Sequence, residues 1–129
     1  MSSSCIRLHE RKDLLEELQH ETAANDQLVA LSGYMAAAGN QTRMRILYAL
    51  WRAGQLCVCD LADIFGISQP AISRHLKILR ENALVRSQRD GQTIYYSVCP
   101  DNAFSSGLTR LFETGLTRNI QLSLTEMNA

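Results

Sequence analysis

The stretch from Cys57 to Arg80 constrains this chain more than any other. Leu61, Ala62, Ile64 and Phe65 give a short helix an apolar face. Gly66 suits the position after its end, where a left-handed backbone is easiest without a Cβ. Ser68 is a good N-cap for a second helix, and Pro70 in its first turn forfeits no hydrogen bond. Within that helix Ala71, Ile72, Leu76 and Leu79 are spaced for one buried stripe, and Ser73, Arg74, His75 and Lys77 fall outside it. A short helix, a glycine turn and a second helix with a polar, basic face form a helix-turn-helix. The second helix of such a pair enters a DNA major groove. Cys57 and Cys59 stand at its entrance, so soft metal-ligand chemistry adjoins a DNA-reading element.

The net charge is zero, so the bulk balance does not point to nucleic acid. The distribution does. Residues 69–92 hold five Lys and Arg against two acidic residues, and residues 10–26 hold six acidic against two basic. A local basic segment is what phosphate contacts need. No apolar run approaches the ~18 residues of a membrane span, and the start of the chain lacks the basic and apolar blocks of a signal peptide. The expectation is a cytoplasmic protein without a membrane partner. There the four cysteines are reduced, free for metal or redox chemistry rather than disulfide-bonded.

In chain order, a polar tail over residues 1–10 carries Cys5 and His9. Residues 11–24 read as a helix with Leu14, Leu15 and Leu18 on one face. Asp26 can cap a second helix with Leu28, Leu31, Met35 and Ala38 at core spacing. Gly39-Asn40 breaks it, and residues 41–53 form a third helix that ends at Gly54. After the motif, Val85–Gln88 and Thr93–Val98 flank Arg89-Asp90-Gly91-Gln92, a strong hairpin signal. A basic hairpin directly after a recognition helix is a wing. Residues 102–125 form the last helix, with Phe104, Leu108, Leu111, Phe112, Leu116 and Ile120 along one side. That stripe exceeds what so small a core needs and reads as a dimer surface. The expected fold is mainly α with a small β-hairpin wing, a homodimeric winged helix-turn-helix. The whole chain, 1–129, is taken as one domain, with dimerisation helices over 11–38 and 102–125, the helix-turn-helix over 58–81 and the wing over 85–98.

The run from Asn40 to Val98 resembles the ArsR/SmtB family of metal-sensing winged-helix repressors. The resemblance rests on Thr42-Arg43-Met44-Arg45-Ile46-Leu47, Leu56-Cys57-Val58-Cys59-Asp60-Leu61, Ser68-Gln69-Pro70-Ala71-Ile72-Ser73-Arg74-His75-Leu76 and Asp90-Gly91-Gln92-Thr93-Ile94-Tyr95-Tyr96. It covers about half the chain, in matching order and spacing. It implies a homodimer bound to a dyad operator in double-stranded DNA and released by metal.

Gln69, Ser73, Arg74 and His75 are expected to face the major groove, with Arg74 suited to guanine and Gln69 to adenine. Lys77, Arg89, Gln92, Thr42 and Arg43 complete the expected DNA-binding set, the last four on the backbone. The resemblance places the metal at Cys57 and Cys59, the Cys-x-Cys branch that answers cadmium, lead or arsenic. Arsenic-responsive members commonly add a third Cys where Ala62 stands here. Cadmium- and lead-responsive members add N-terminal thiols four apart, a spacing that Cys5 and His9 share. Zinc-responsive members use the last helix, and residues 102–125 contain no His.

Two thiolates, a third sulfur and an imidazole suit tetrahedral zinc or cadmium, and three thiolates suit lead or arsenite. Cys99, at the strand-to-helix break, reads as structural, with the capacity to supply a third sulfur. A thiol-based redox-sensing repressor of the same fold is the alternative. An enzyme is not expected, because no Ser/His/Asp set, phosphate loop or His-Glu-x-x-His occurs, and no organic cofactor is implied.

Overall fold

The computed structural model describes residues 11–115. They form α1 (Lys12–Thr22), α2 (Asp26–Ala38), α3 (Gln41–Ala53), β1 (Leu56–Cys57), α4 (Val58–Phe65), α5 (Gln69–Glu81), β2 (Val85–Asp90), β3 (Thr93–Val98) and α6 (Ala103–Glu113). This is the winged helix-turn-helix expected from the sequence: α4 and α5 are the motif, β2 and β3 the wing. No helix among the described residues is long and apolar enough to cross a membrane.

The described residues divide into two compact units, with the boundary between Ser32 and Gly33. In the first unit α1 buries no residue, and Leu14, Leu15 and Leu18 are exposed along it. Asn25 rather than Asp26 caps α2. Its Oδ1 accepts from the N–H groups of Gln27 and Leu28 at 3.0 and 3.2 Å. Cap geometry needs a non-helical residue before the first turn, and Asp26 is already helical.

The second unit is built on one core. Ile46, Leu47 and Leu50 of α3 meet Leu61 of α4 and Ile72, Leu76 and Leu79 of α5. Ala37 and Ala38 at the end of α2, with Leu84 and Val85 entering the wing, complete it. Each large aliphatic side chain buried there contributes about 1.5–3 kcal/mol. The aromatic rings of α6 reach the same unit: Phe112 lies 5.3 Å from Tyr48 and 5.6 Å from Trp51, both of α3.

Local chemistry sets the joints between these elements. Gly66 has φ 64° and ψ 33°, and its N–H donates to Ala62 O at 2.9 Å. Ser68 Oγ accepts from Ala71 N at 3.3 Å and starts α5. At the other end, Ala83 adopts φ 57°. Its N–H donates to Arg80 O at 3.0 Å, and Leu84 N–H donates to Leu79 O at 2.9 Å. That is a Schellman ending with alanine where glycine is usual. Asn102 then ties the wing exit to it, donating to Ala83 O at 2.7 Å and capping α6 at Ser105 N.

The wing pairs Val85 with Val98 through to Asp90 with Thr93, so its two-residue loop is Gly91-Gln92. Gly91 supplies the positive φ that such a loop demands. A third strand, absent from the sequence reading, is β1: Leu56 pairs with Tyr96 and Cys57 with Tyr95. Two residues are too few to show alternation.

Four positions expected on buried faces, Leu28, Leu31, Met35 and Ile64, are exposed instead. Ile64 is 54% exposed because Leu61 and Phe65 occupy the inward face of the short α4. Leu28, Leu31 and Met35 face outward as well, and Leu111, expected on a dimer surface, is exposed. The last helix, expected over 102–125, ends at Glu113 in a turn at Thr114-Gly115. Leu116 and Ile120 lie outside the described residues.

A Cβ at Gly66 would meet nothing within 4 Å, so only its backbone resists substitution. Gly66→Ala should therefore lower stability by about 1–2 kcal/mol, and Ala83→Gly should recover up to about 1 kcal/mol from the mirror-image fault. Urea unfolding of the two variants checks both signs.

Candidate nucleic-acid interface and metal centre

The recognition helix α5 is held by its inner face and free on its outer one. Ile72, Leu76 and Leu79 are fully buried, and Gln69, Ser73, Arg74 and Lys77 are exposed. Lys77 lies 4.0 Å from Glu81 in an exposed i,i+4 pair of little energetic weight. Arg89 and Gln92 are exposed near and at the tip of the wing. Thr42 sits half-buried in the first turn of α3, whose N-cap is Asn40. Six of the nine expected DNA contacts thus lie on exposed surface, and Thr42 on a helix start.

His75 and Arg43 make contacts within the protein. The Arg43 guanidinium is turned into the protein, its Nε donating to Ala37 O at 2.6 Å and its Nη2 to Ala36 O at 3.4 Å. Its Nη1 meets His75 Nδ1 at 3.4 Å. Arg43 serves the open carbonyls at the end of α2. His75 is half-buried against it rather than facing a groove. Burial holds the His75 imidazole below its ordinary range, and the charges of Arg43 and Arg74 add to the effect.

The two thiols of the Cys-x-Cys pair occupy different environments. Cys57 is half-buried, ends β1 and is the N-cap of α4; Cys59 is exposed on the first turn of that helix. Asp60 N–H donates to Cys57 Sγ at 3.4 Å, and Cys57 N–H donates to Asp60 Oδ2 at 3.2 Å. This reciprocal capping box has sulfur in the place of a hydroxyl. The Cys-x-x-Asp spacing was open to view in the sequence, but cysteine is not a customary cap. Burial pushes the Cys57 thiol above its ordinary range. The Asp60 N–H pulls the other way, and the Asp60 carboxylate raises it further.

Two soft donors in one helical turn fit part of a thiolate site. Among the described residues no group of three or more His, Cys, Asp or Glu is gathered around a possible ion. Cys5 and His9 lie outside the described residues. Cys99 is half-buried at the end of the wing, where its thiol donates to Asp101 Oδ2 at 3.7 Å.

A thiol that keeps its proton through neutral pH must release it on ligation, so ligand affinity at Cys57 rises with pH. Iodoacetamide at neutral pH should modify exposed Cys59 before Cys57, and Cys57 should gain reactivity as pH rises. Peptide mass spectrometry at several pH values reads both; equal rates for the two thiols would contradict the capped, half-buried geometry.

Comparison with known proteins places this geometry. The profile of bacterial regulatory proteins of the arsR family matches residues 40–87. A transcriptional repressor SmtB homolog from Synechocystis is 34% identical over 91 residues, 70% of this chain and 68% of that protein. The cadmium resistance transcriptional regulatory protein CadC of Listeria innocua is 35% identical over 75 residues, 58% of this chain and 63% of that one. Reduced HlyU from Vibrio cholerae superposes with a TM-score of 0.61 at 26% identity, over 69% of this chain and 92% of that one. On these matches the chain belongs to the ArsR family of winged-helix transcriptional regulators.

Proposed function

We propose that this protein is a metal-responsive transcriptional repressor acting in the cytoplasm. It binds operator DNA as a homodimer and leaves it when a soft metal or metalloid ion is taken up at Cys57 and Cys59. The observation that carries the reading is the position of those thiols, in the cap and first turn of the helix that supports α5. The relatives named for SmtB and for cadmium resistance support the effector class. Cadmium, lead, zinc and arsenite are the candidates, with Cys5 and His9 as further ligands from either subunit.

Gln69, Ser73 and Arg74 read bases, and Lys77, Arg89, Gln92 and Thr42 engage the backbone. The exposed leucines of α1, with Met35 of α2 and Leu111 of α6, support pairing through these helices. A bound soft ion supplies strong, directional bonds to thiolates. Cys57 and Cys59, once ligated, hold the first turn of α4. Cys57 also pairs with Tyr95 of β3, so the same residue reaches the wing. Either shift resets the two recognition helices against the ~34 Å repeat of DNA. A coupling on the order of 1–3 kcal/mol is enough, and linkage requires DNA to weaken metal binding by the same factor.

Two tests apply. Cys57→Ser with Cys59→Ser keeps a hydroxyl at the cap, so the double variant should fold, dimerise and bind DNA yet stay bound when cadmium is added; Cys99→Ser should still respond. Thiolate-to-metal absorption and DNA release are followed in one sample. Release by the double variant but not by Cys99→Ser would move the site elsewhere. Release by peroxide with chelator present would make the thiols a redox sensor.

For DNA, Arg74→Ala should cost about 1–3 kcal/mol and relax base choice, whereas Arg89→Ala should weaken all sequences alike and reduce the salt slope by about one. Unchanged binding by Arg74→Ala with Gln69→Ala would rule out the docking.

A further inference from the structure

Arg43 joins three points at once: the carbonyls of Ala36 and Ala37 at the end of α2, its own helix α3, and the ring of His75 on α5. The hydrophobic anchors of α5 are Ile72, Leu76 and Leu79, on its inner face. His75 lies beside the residues that face outward, one position after Arg74 and two after Ser73. A hydrogen bond there acts on the half of the helix that carries Gln69, Ser73 and Arg74.

Arginine has donors only. His75 Nδ1 must therefore accept from Arg43, which leaves the neutral ring with its proton on Nε2. A protonated ring offers no acceptor and sets a second cation against the guanidinium. We propose that Arg43 and His75 form a strut that positions the recognition helix for base reading, intact with neutral His75 and broken when His75 is protonated.

Burial lowers the ring's proton affinity first, and the charges that add to this are Arg43 of α3 and Arg74 of α5, both cationic. With the imidazole held below its ordinary 6.5, the strut is complete above that pH. It is lost progressively as pH falls below it, because the braced state binds protons less readily than the released one. New positive charge on a loosened helix attracts any phosphate backbone. Acidification should thus erode discrimination between sequences more than it erodes binding as such.

This inference rests on the DNA-reading proposal above, and its test separates the two. A duplex selected by the protein from a random pool at mildly alkaline pH is compared with a scrambled duplex of equal length. The affinity ratio is measured from about pH 8 to about pH 5.5, where imidazole titrates. The wild-type ratio should fall about tenfold, the worth of one charge-assisted hydrogen bond. His75→Asn places an oxygen acceptor near Nδ1 that does not titrate, so its ratio should stay high and flat. His75→Leu and Arg43→Met should be flat and low, with circular dichroism confirming their fold.

An arm without DNA follows the His75 ring nitrogens by NMR. Nδ1 should be unprotonated at alkaline pH, and Arg43→Met should raise the titration midpoint. A proton on Nδ1 at alkaline pH, or His75→Leu reading the duplex as well as wild type, overturns the strut. If the pool yields no preferred duplex, the DNA-reading proposal fails, and the ring nitrogens alone decide whether the strut exists.

Discussion

A helix that must read another molecule has to be bound tightly along one side and left bare along the other, and α5 meets that constraint with three buried side chains. Ile72, Leu76 and Leu79 lie on one stripe, against Ile46, Leu47 and Leu50 of α3 and Leu61 of α4. A helix this short is marginal in water by itself, so its existence depends on that burial. The caps at Ser68 and Ala83 then fix where it starts and stops. Remove the stripe and the outward row of Gln69, Ser73 and Arg74 has no defined direction.

Cys57 carries several structural loads. It closes the β1–β3 ladder opposite Tyr95, caps α4 through its sulfur and exchanges hydrogen bonds with Asp60. Its sulfur caps the start of the helix-turn-helix, and its backbone lies against β3 of the wing. The half-buried, capped thiol and the exposed Cys59 beside it are unequal partners, and that inequality follows from position alone: one is a cap, the other projects from the first turn.

Arg43 shows how a charge count misleads. It belongs to the sequence run that carries the family resemblance, and it is easily assigned to phosphate. Its guanidinium instead satisfies carbonyls that the end of α2 would otherwise leave without donors, and it reaches His75 on the way. The basic residues free of internal contacts are therefore fewer than the sequence suggests.

By itself the sequence determined the elements and their joints. Helical spacing of apolar residues, Ser68, Gly66 and the hairpin signal around Asp90-Gly91 are local physics, so the helix-turn-helix and wing were legible, and so was the exposed row on α5. What needed more than one element was decided only in three dimensions. The short strand β1 exists because β3 lies beside it. Ile64 is exposed because Leu61 and Phe65 filled the inner face of the short α4. The Arg43–His75 contact joins residues 32 positions apart, and no period or motif encodes a meeting between side chains on separate helices. Local propensity writes the pieces; packing alone chooses which polar groups are consumed inside and which remain to act outside.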